Sequence, residues 1–290
     1  MVASMFVWSK LSSEKWRDAW EERFLGHGQT NAVITALPGR TTVRVEVYCA
    51  RAGEAGKLRK AYGGSVREVK QSEWAVPVAV AGPPMRIRGR LVVTNALEPG
   101  DAAKVRVAEG KVPVLHVPPG LAFGTGDHAT TSTCLRVLAD FAGERSRAGK
   151  AWSMADLGTG TGILAMAAKV FGAGEIHALD FDPLAVKAAR ANIKRNGLRG
   201  IFLERADLTT WVAPRRFDFI AANVFADVLT LSLPRMKRAM AKDGRLVISG
   251  ILRDHWPDLE AAGAKHGIIF PKVIRKGKWV TALGKLATAR

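Results

Sequence analysis

The sequence is poor in cysteine, and its two cysteines suggest neither a metal site nor a disulfide framework. Cys49 and Cys134 lie far apart in the 290-residue chain and show no metal-ligand spacing. No metal site is therefore predicted. Isolated thiols of this kind are typical of buried residues in a protein of the reducing cytoplasm.

Long apolar runs are also absent. Every apolar stretch is interrupted by glycine, lysine or proline well before the roughly eighteen residues that a membrane-spanning helix needs. The first six residues show no charged segment followed by an apolar one, so no secretory signal peptide is expected. Apolar residues still make up 48% of the chain, which suffices for the cores of one large or two ordinary domains. We therefore predict a cytoplasmic protein without a membrane segment.

Acidic residues are scarce relative to basic ones. The chain has 26 acidic and 44 basic residues, giving a formal net charge of +18 and a sequence pI near 10.4. The basic excess is spread along the chain, and its densest cluster lies at residues 272–278. Phosphate groups attract such surfaces without regard to sequence, so proximity to ribosomal RNA is one interpretation. A basic surface that contacts only solvent is the alternative.

Short elements fill the first 72 residues in a recognisable order. Ser12 or Ser13 is a plausible helix start, and residues 41–48 alternate between apolar and polar as a half-buried strand does. The full pattern is strand, helix, strand, strand, helix, strand at residues 5–8, 12–25, 32–37, 41–48, 52–62 and 65–70. This order predicts a small α+β domain of the ferredoxin-like class.

Prolines dominate the next part of the chain. Seven of them fall between residues 74 and 120, too many for one continuous helical pattern. Only residues 90–94 and 111–117 contain short apolar runs, and their neighbouring prolines favour edge strands. Residues 73–117 are therefore predicted to form a linker with short strands.

In the predicted domain of residues 118–290, helical and strand patterns alternate from Thr130 onward, beginning with a helix to Phe141. An Asp243-Gly244 turn leads into the last of the parallel strands. Asp182-Pro183 begins one helix and Gly197 ends it, since Asp caps helices and Pro suits the first helical position. The predicted strands lie at residues 151–156, 175–180, 201–203, 217–223 and 245–251, and a closing hairpin lies at 268–274 and 279–286. Parallel strands followed by an antiparallel pair predict a Rossmann-like, doubly wound α/β sheet with a reversed last strand.

The most specific motif is Asp156-Leu-Gly-Thr-Gly-Thr-Gly162, which separates a predicted strand from a predicted helix. Glycines permit tight turns and close approach of a ligand to the backbone. Asp180, at the end of the next strand, suits a ribose diol. A dinucleotide fingerprint would need a third glycine at Ile163, so the pattern favours S-adenosylmethionine over NAD. A purely structural glycine turn is the competing interpretation.

Two further segments are expected near this turn. Residues 119–131 are rich in glycine and hydroxyl groups, which is typical of a loop that folds over a cofactor. A helix entry capped by Thr130 or Thr131 is the simpler interpretation. His128 is a possible general base, although a lone histidine is more often structural. Asn223 ends a predicted apolar strand, where its amide oxygen could accept a hydrogen bond from an incoming amine or its side chain could close a turn.

Together these segments resemble the methyltransferases of ribosomal large-subunit protein eleven. The resemblance is carried by Phe123-Gly-Thr-Gly-x-His-x-Thr-Thr131, the glycine turn, Leu179-Asp-Phe-Asp-Pro183, Asn223 and Gly244-Arg-Leu-x-x-Ser-Gly-Ile-Leu252. It is dense over residues 117–255 and looser before them, where the ferredoxin-like domain corresponds to the family's substrate-recognition domain.

The resemblance implies methyl transfer from S-adenosylmethionine to lysine side chains or the N-terminal amine of that ribosomal protein. It implies that Asn223 orients the amine and that the cofactor contacts include Thr131, Gly158, Asp180 and Asn223. With Asp156, Gly160 and Gly162 added from the turn itself, these residues form the predicted site. Ala129 in place of the usual proline, and Val-Phe-Ala-Asp after Asn223, depart from the family pattern. The alternatives are an RNA methyltransferase, an inactive cofactor-binding module and an NAD enzyme.

Overall fold

The computed structural model describes residues 5–25, 32–37, 41–49, 51–69, 83–119 and 128–287. The chain divides into two compact units, Met1–Val80 and Ala81–Arg290. No helix within the described ranges is both long and apolar enough to cross a membrane. Cys49 and Cys134 are buried free thiols, as the sequence predicts.

The first unit has the ferredoxin-like topology that was predicted. Its elements are β1 (Met5–Ser13), a 3-10 turn (Glu14–Trp16), α1 (Arg17–Leu25), β2 (Ala32–Ala36), β3 (Thr42–Cys49), α2 (Ala52–Tyr62) and β4 (Ser65–Val69). The strands form one antiparallel sheet in the order β2-β3-β1-β4. Strand β1 extends beyond the predicted residues 5–8 because Ser9 to Ser13 continue to pair with β3. The helix predicted from Ser12 or Ser13 consequently starts later.

One face of this sheet carries the core of the first unit. Val43, Val45 and Val47 alternate along β3 and are buried against Trp8 of β1 and Phe24 of α1. The opposite face carries polar side chains, because successive residues of a strand point to opposite sides. This sheet therefore buries one face and presents the other as a surface.

The second unit starts within the segment predicted to be a linker. Residues 83–119 contain β5 (Met85–Ile87), β6 (Leu91–Thr94), α3 (Pro99–Glu109) and β7 (Val114–His116), and the strands form a sheet of order β5-β6-β7. Helix α3 was not predicted, because Pro99 was counted as a helix breaker. It occupies the first turn, where the missing N–H has no intrahelical partner to lose.

The large sheet follows the predicted doubly wound plan. Its elements are α4 (Ala129–Arg147), β8 (Ser153–Leu157), α5 (Ile163–Val170), β9 (Glu175–Asp180), α6 (Pro183–Arg195), β10 (Ile201–Arg205), β11 (Phe217–Asn223), α7 (Ala226–Ala239), β12 (Met240–Leu252), α8 (Trp256–Lys265), β13 (Ile268–Lys276) and β14 (Trp279–Leu286). The strand order is β10-β9-β8-β11-β12-β14-β13. Strands β8 to β12 pair in parallel, and β14 pairs antiparallel to β12. The reversed last strand is confirmed.

Three elements of the second unit differ from the sequence prediction. Helix α4 continues to Arg147 rather than residue 141, and α8 was not predicted at all. Strand β12 begins at Met240, and its pairing with β11 shifts between Phe217 and Phe219. The predicted Asp243-Gly244 turn therefore lies inside an irregular part of this strand.

The large sheet is buried on both faces. Met154 and Ala155 are neighbours on β8, yet the first belongs to the core beneath α4 and α5 and the second to the core beneath α7. Both faces of the parallel strands need apolar side chains, which explains their nearly continuous hydrophobic runs. The polar residues at their carboxyl ends interrupt these runs and form the site.

Candidate active site

Strand order reverses between β8 and β11. From β8 the chain builds outward through β9 and β10, and it then returns to build outward through β11 and β12 on the other side. Open α/β sheets bind ligands at the carboxyl ends of the strands that flank such a switch point. The predicted residues after β8, β9 and β11 all lie there.

The glycine turn after β8 has the backbone that its sequence predicts. Gly158, Gly160 and Gly162 have φ values of 74°, 55° and 81°, a region that residues with a Cβ rarely adopt. A Cβ at Gly158 would lie 2.3 Å from Cγ1 of Val224. At Gly162 it would lie 3.1 Å from Cβ of Ala189. The glycines are therefore required by both conformation and close packing.

Asp156, at the start of this turn, supports it through two hydrogen bonds. Its Oδ2 accepts the Thr159 hydroxyl at 2.6 Å and the backbone N–H of Ala165 at 3.0 Å. Its Oδ1 is buried and has no hydrogen-bond partner in the described part of the chain. Burial raises the pKa of Asp156 to about 6, and the nearby Asp180 contributes to the rise. Asp156 is thus a structural support of the turn that keeps one unsatisfied oxygen.

Asp180 joins the end of β9 to the same turn. Its Oδ2 accepts the backbone N–H of Gly160 at 2.8 Å, and its Oδ1 accepts that of Asp182 at 3.0 Å. Burial raises the pKa of Asp180 despite these donors. Asp182 itself accepts the N–H of Leu184 at 2.8 Å and caps α6. The predicted division of roles between a capping Asp182 and a pocket-facing Asp180 agrees with these contacts.

Asn223 ends β11 and contacts the first turn of α4. Its Nδ2 donates to Oγ1 of the buried Thr131 at 3.3 Å. Its Oδ1 is buried without a hydrogen-bond partner among the described residues. Because one end of the amide is anchored, the free acceptor has a defined direction. A buried acceptor of this kind is available to a donor on a ligand.

His128 has a structural role at the start of α4. It is the N-cap residue, and its Nδ1 contacts Oγ1 of Thr130 at 2.7 Å and accepts the backbone N–H of Thr130 at 3.4 Å. Its ring packs edge-on against Trp279, with centroids 5.1 Å apart. The prediction that Thr130 or Thr131 caps the helix is wrong, because both lie inside its first turn. The predicted closing loop at residues 120–127 lies outside the described residues.

Two features near the site were not singled out from the sequence. Asn196, at the end of α6, accepts the N–H of His116 at 2.8 Å and donates to its carbonyl at 2.9 Å, which fixes β7 beside the large sheet. Phe225, two residues after Asn223, is 44% exposed. The signal available in the sequence was an aromatic residue, Phe225, directly after a predicted apolar strand.

The donor set fits a cationic nucleoside cofactor. Asp156 and Asp180 both accept hydrogen bonds from the glycine turn, and the negative charge of Asp180 contributes to the raised pKa of Asp156. A positively charged ligand would offset this negative charge. Burial is the main cause of the raised pKa of both carboxyls. S-adenosylmethionine carries a sulfonium and a ribose, and Gly158, Gly160 and Gly162 have no Cβ to obstruct its approach to the backbone. These residues therefore fit the predicted cofactor.

Comparison with known proteins identifies the family of the chain. The family described as Ribosomal protein L11 methyltransferase (PrmA) matches residues 3–287. The chain belongs to this family. The family resemblance and the S-adenosylmethionine cofactor predicted from the sequence are thereby confirmed.

Individual members of the L11 methyltransferase family agree with this assignment. The Ribosomal protein L11 methyltransferase of Pelotomaculum thermopropionicum is 35% identical over 223 residues, which cover 77% of this chain and 68% of that protein. The one of Symbiobacterium thermophilum is 41% identical over 186 residues, 64% of this chain and 57% of that protein. The second match thus spans little more than half of the relative's length.

A solved structure supports the fold. The crystal structure of the ribosomal protein L11 methylase of Lactobacillus delbrueckii subsp. bulgaricus matches with a TM-score of 0.58 and 29% sequence identity. The match covers 71% of this chain and all of that chain. The Rossmann-like methyltransferase fold predicted from the sequence is confirmed.

Proposed function

We propose that this member of the family transfers methyl groups from S-adenosylmethionine to amines of ribosomal protein L11. The proposed acceptors are lysine side chains or the N-terminal amine. The observation that carries the proposal is the buried Oδ1 of Asn223, which has no partner among the residues that the structure describes. It is held beside the glycine turn by the contact between Val224 and Gly158. An amide oxygen accepts hydrogen bonds from an amine and so can orient its nitrogen.

The cofactor residues are assigned by position and by contact. Gly158, Gly160 and Gly162 would supply a close backbone approach, and Asp180 would bind the ribose hydroxyl groups. Asp156 would face the cationic part of the cofactor through its free Oδ1. Thr131 would act through Asn223, whose amide it anchors. These assignments are supported by the hydrogen bonds and by the carboxyl ends of β8, β9 and β11 lying side by side.

S-adenosylmethionine supplies the methyl group: the amine nitrogen bonds to the methyl carbon as the carbon–sulfur bond breaks, its electron pair stays on sulfur, and a proton leaves the nitrogen. A lysine ammonium has no lone pair and must lose a proton first. Its ordinary pKa is about 10.4, and transfer into a less polar site lowers it. Asn223 contributes an acceptor that favours the N–H groups without carrying a charge. A dedicated protein base is not required, which agrees with the capping role of His128.

The function is tested by methylation of purified L11 and of purified ribosomal RNA in parallel. We expect methyl groups in L11 with the parent protein, located at amines by mass spectrometry of peptides. Label only in RNA would support the rival RNA methyltransferase instead. Cofactor binding without turnover on either acceptor would support an inactive binding module.

The cofactor residues have a separate test by calorimetry. Asp180→Ala removes the proposed acceptor for the ribose hydroxyl groups, and the loss of a charge-assisted hydrogen bond of about 2 kcal/mol weakens cofactor affinity about 30-fold. Leu184→Ala, on the exposed first turn of α6, is the matched control and should bind as the parent does. Equal affinity of Asp180→Ala and the parent would remove Asp180 from the site.

Substrate recognition is assigned to the ferredoxin-like unit. The face of its sheet opposite α1 and α2 has a cavity of about 630 Å³, whose lining includes Ser9, Arg44 and Arg67. Arg67 pairs with the buried Glu46 at 3.4 Å, which fixes one of the three cations that line the cavity. Arg44→Glu should raise the KM for L11 with little effect on kcat, whereas Lys57→Glu on the exposed α2 surface should leave both unchanged.

Proximity to ribosomal RNA is a second proposal, favoured by the charge of the hairpin between β13 and β14. Arg275 and Lys276 lie at its tip, and Arg253 donates its backbone N–H to the Lys278 carbonyl beside them. The tip lies at the same end of the sheet as the carboxyl end of β12. A cytoplasmic location agrees with either ribosomal target. RNA affinity that falls steeply with salt, and falls less steeply in Lys276→Glu, would support this proposal.

A further inference from the structure

Phe225 is an aromatic residue at the end of the strand that carries Asn223. It is the N-cap residue of α7, follows Asn223 by two positions and is 44% exposed. The preceding residues Phe219, Ile220, Ala221 and Ala222 are all buried. The apolar surface of β11 thus ends at the switch point with one accessible ring.

Asn223 alone cannot serve every stage of repeated methylation. A neutral primary amine has two N–H groups that Oδ1 of Asn223 can accept, and a monomethylated amine has one. A dimethylated amine has none, so the amide oxygen can accept no hydrogen bond from it. The nitrogen then needs another means of being held at the site.

An aromatic face provides such a means. During each transfer positive charge develops on the nitrogen, and a third transfer to a lysine nitrogen would give a quaternary ammonium that has no N–H to donate to an acceptor. Aromatic rings attract alkylated ammonium groups through their negative faces, with energies that do not depend on N–H groups. The Asp227 carboxylate, which is exposed in the first turn of α7, adds negative charge two residues after Phe225.

We propose that Phe225 forms an aromatic wall of the acceptor site and determines how many methyl groups one nitrogen receives. The proposal rests on amine methylation as proposed above. Asn223 orients the nitrogen in the first two transfers, and Phe225 becomes the main contact in the last. It is a specificity-determining residue for the degree of methylation.

The test compares three full-length variants with the parent protein. Phe225→Leu removes the ring and keeps an apolar side chain, and Phe225→Tyr keeps the ring. Phe202→Leu is the matched control, because Phe202 is a similarly exposed phenylalanine (55%) on the edge strand β10. Mass spectrometry of purified L11 after equal numbers of turnovers gives the mono-, di- and trimethylated fractions at each nitrogen.

We expect Phe225→Leu to lower the rate of the last transfer about 5-fold relative to the first, as the loss of a cation–π contact of about 1 kcal/mol predicts. Phe225→Tyr and Phe202→Leu should match the parent. A product distribution of Phe225→Leu equal to that of the parent would overturn the proposal, as would a parent that adds only one methyl group per nitrogen.

A binding measurement separates recognition from turnover. The affinity of fully methylated L11, measured by calorimetry with the cofactor-free protein, should fall about 5-fold in Phe225→Leu. The affinity of unmethylated L11 should not change. Equal losses for both forms would show that Phe225 is only a general contact and would overturn its proposed role. If the parent methylates no L11 at all, the proposed function fails instead, which is a distinct result.

Discussion

The two flanks of the glycine turn satisfy their polar groups in opposite ways. On the β9 side, each carboxylate oxygen of Asp180 already accepts a backbone N–H. On the β11 side, Asn223 anchors its Nδ2 on Thr131 and leaves Oδ1 buried and unpartnered among the described residues. Both oxygens of Asp180 have protein partners and can each accept one further hydrogen bond, whereas Oδ1 of Asn223 has no partner in the described part of the chain. Binding and reaction are therefore assigned to different flanks.

Asn223→Ala tests the β11 flank and has the largest expected effect. Loss of a preorganised polar group in an active site lowers kcat by about 100-fold or more. Cofactor affinity, measured by calorimetry, should change much less, because the β9 flank remains intact. Thr131→Val, which removes only the anchor of the amide, should give an intermediate loss. If cofactor affinity and turnover fell in parallel, the two flanks would not be separate.

Asp156→Asn tests the carboxylate beneath the turn. Burial raises the pKa of Asp156 from its usual 3.8 to about 6, so between these values the folded protein binds more protons than the unfolded one. The free energy of unfolding therefore falls as pH rises from about 4 to about 6, by at most about 3 kcal/mol.

Asp156→Asn keeps an oxygen for Thr159 and Ala165 but does not ionise, so this decline should become shallower. Denaturant unfolding of the cofactor-free protein at several pH values measures the difference. Identical pH dependence of the parent and the variant would mean that Asp156 is not the group responsible.

Gly158→Ala tests the contact that joins the two flanks. A residue with a Cβ at φ 74° costs about 1–2 kcal/mol, and the new Cβ would also approach Val224. We expect the free energy of unfolding to fall by about 2 kcal/mol. In a Val224→Ala background the same change should cost about 1 kcal/mol less, because only the backbone strain remains. Additive effects in this double-mutant cycle would argue against the contact.

His128→Ala has the smallest expected effect and lies outside both flanks. Loss of the N-cap acceptor of α4 should lower the free energy of unfolding by about 1 kcal/mol. His128→Asn, which can also cap, should restore stability and should retain turnover at every pH. Loss of turnover in the well-folded His128→Asn would return His128 to the role of a base.

Local patterns were sufficient for most of the fold. Alternating apolar residues predict β3, and the Asp182-Pro183 pair predicts the start of α6. The wrong predictions arise where the effect of a residue type depends on its position within the element. Pro99 was counted against a helix, but it lies in the first turn of α3, where proline is favourable. Pro257 has the same position in α8, which was not predicted. Position within a helix is decided by packing that a short window does not contain.

The candidate site was predictable in identity and less so in contacts. The glycines of the turn predict positive φ angles, and Asp180 is predicted to end a strand. The hydrogen bond between Asn223 and Thr131 joins residues 92 positions apart, and the pairing of Asn196 with His116 spans 80. Side-chain contacts at such separation depend on the register of several strands. That Oδ1 of Asn223 has no partner among the described residues depends on the positions of all its neighbours, so the sequence could not predict it.

Val224 gives the site a property that neither flank has alone. Its side chain fills the space above Gly158, and a Cβ at Gly250 would lie 2.6 Å from its carbonyl oxygen. The segment between Asn223 and Phe225 is thus wedged between the turn after β8 and Gly250 near the end of β12, and it cannot shift without displacing one of them. Occupancy of the turn and occupancy of the amine site are then thermodynamically linked, and each ligand should strengthen the other by the same factor.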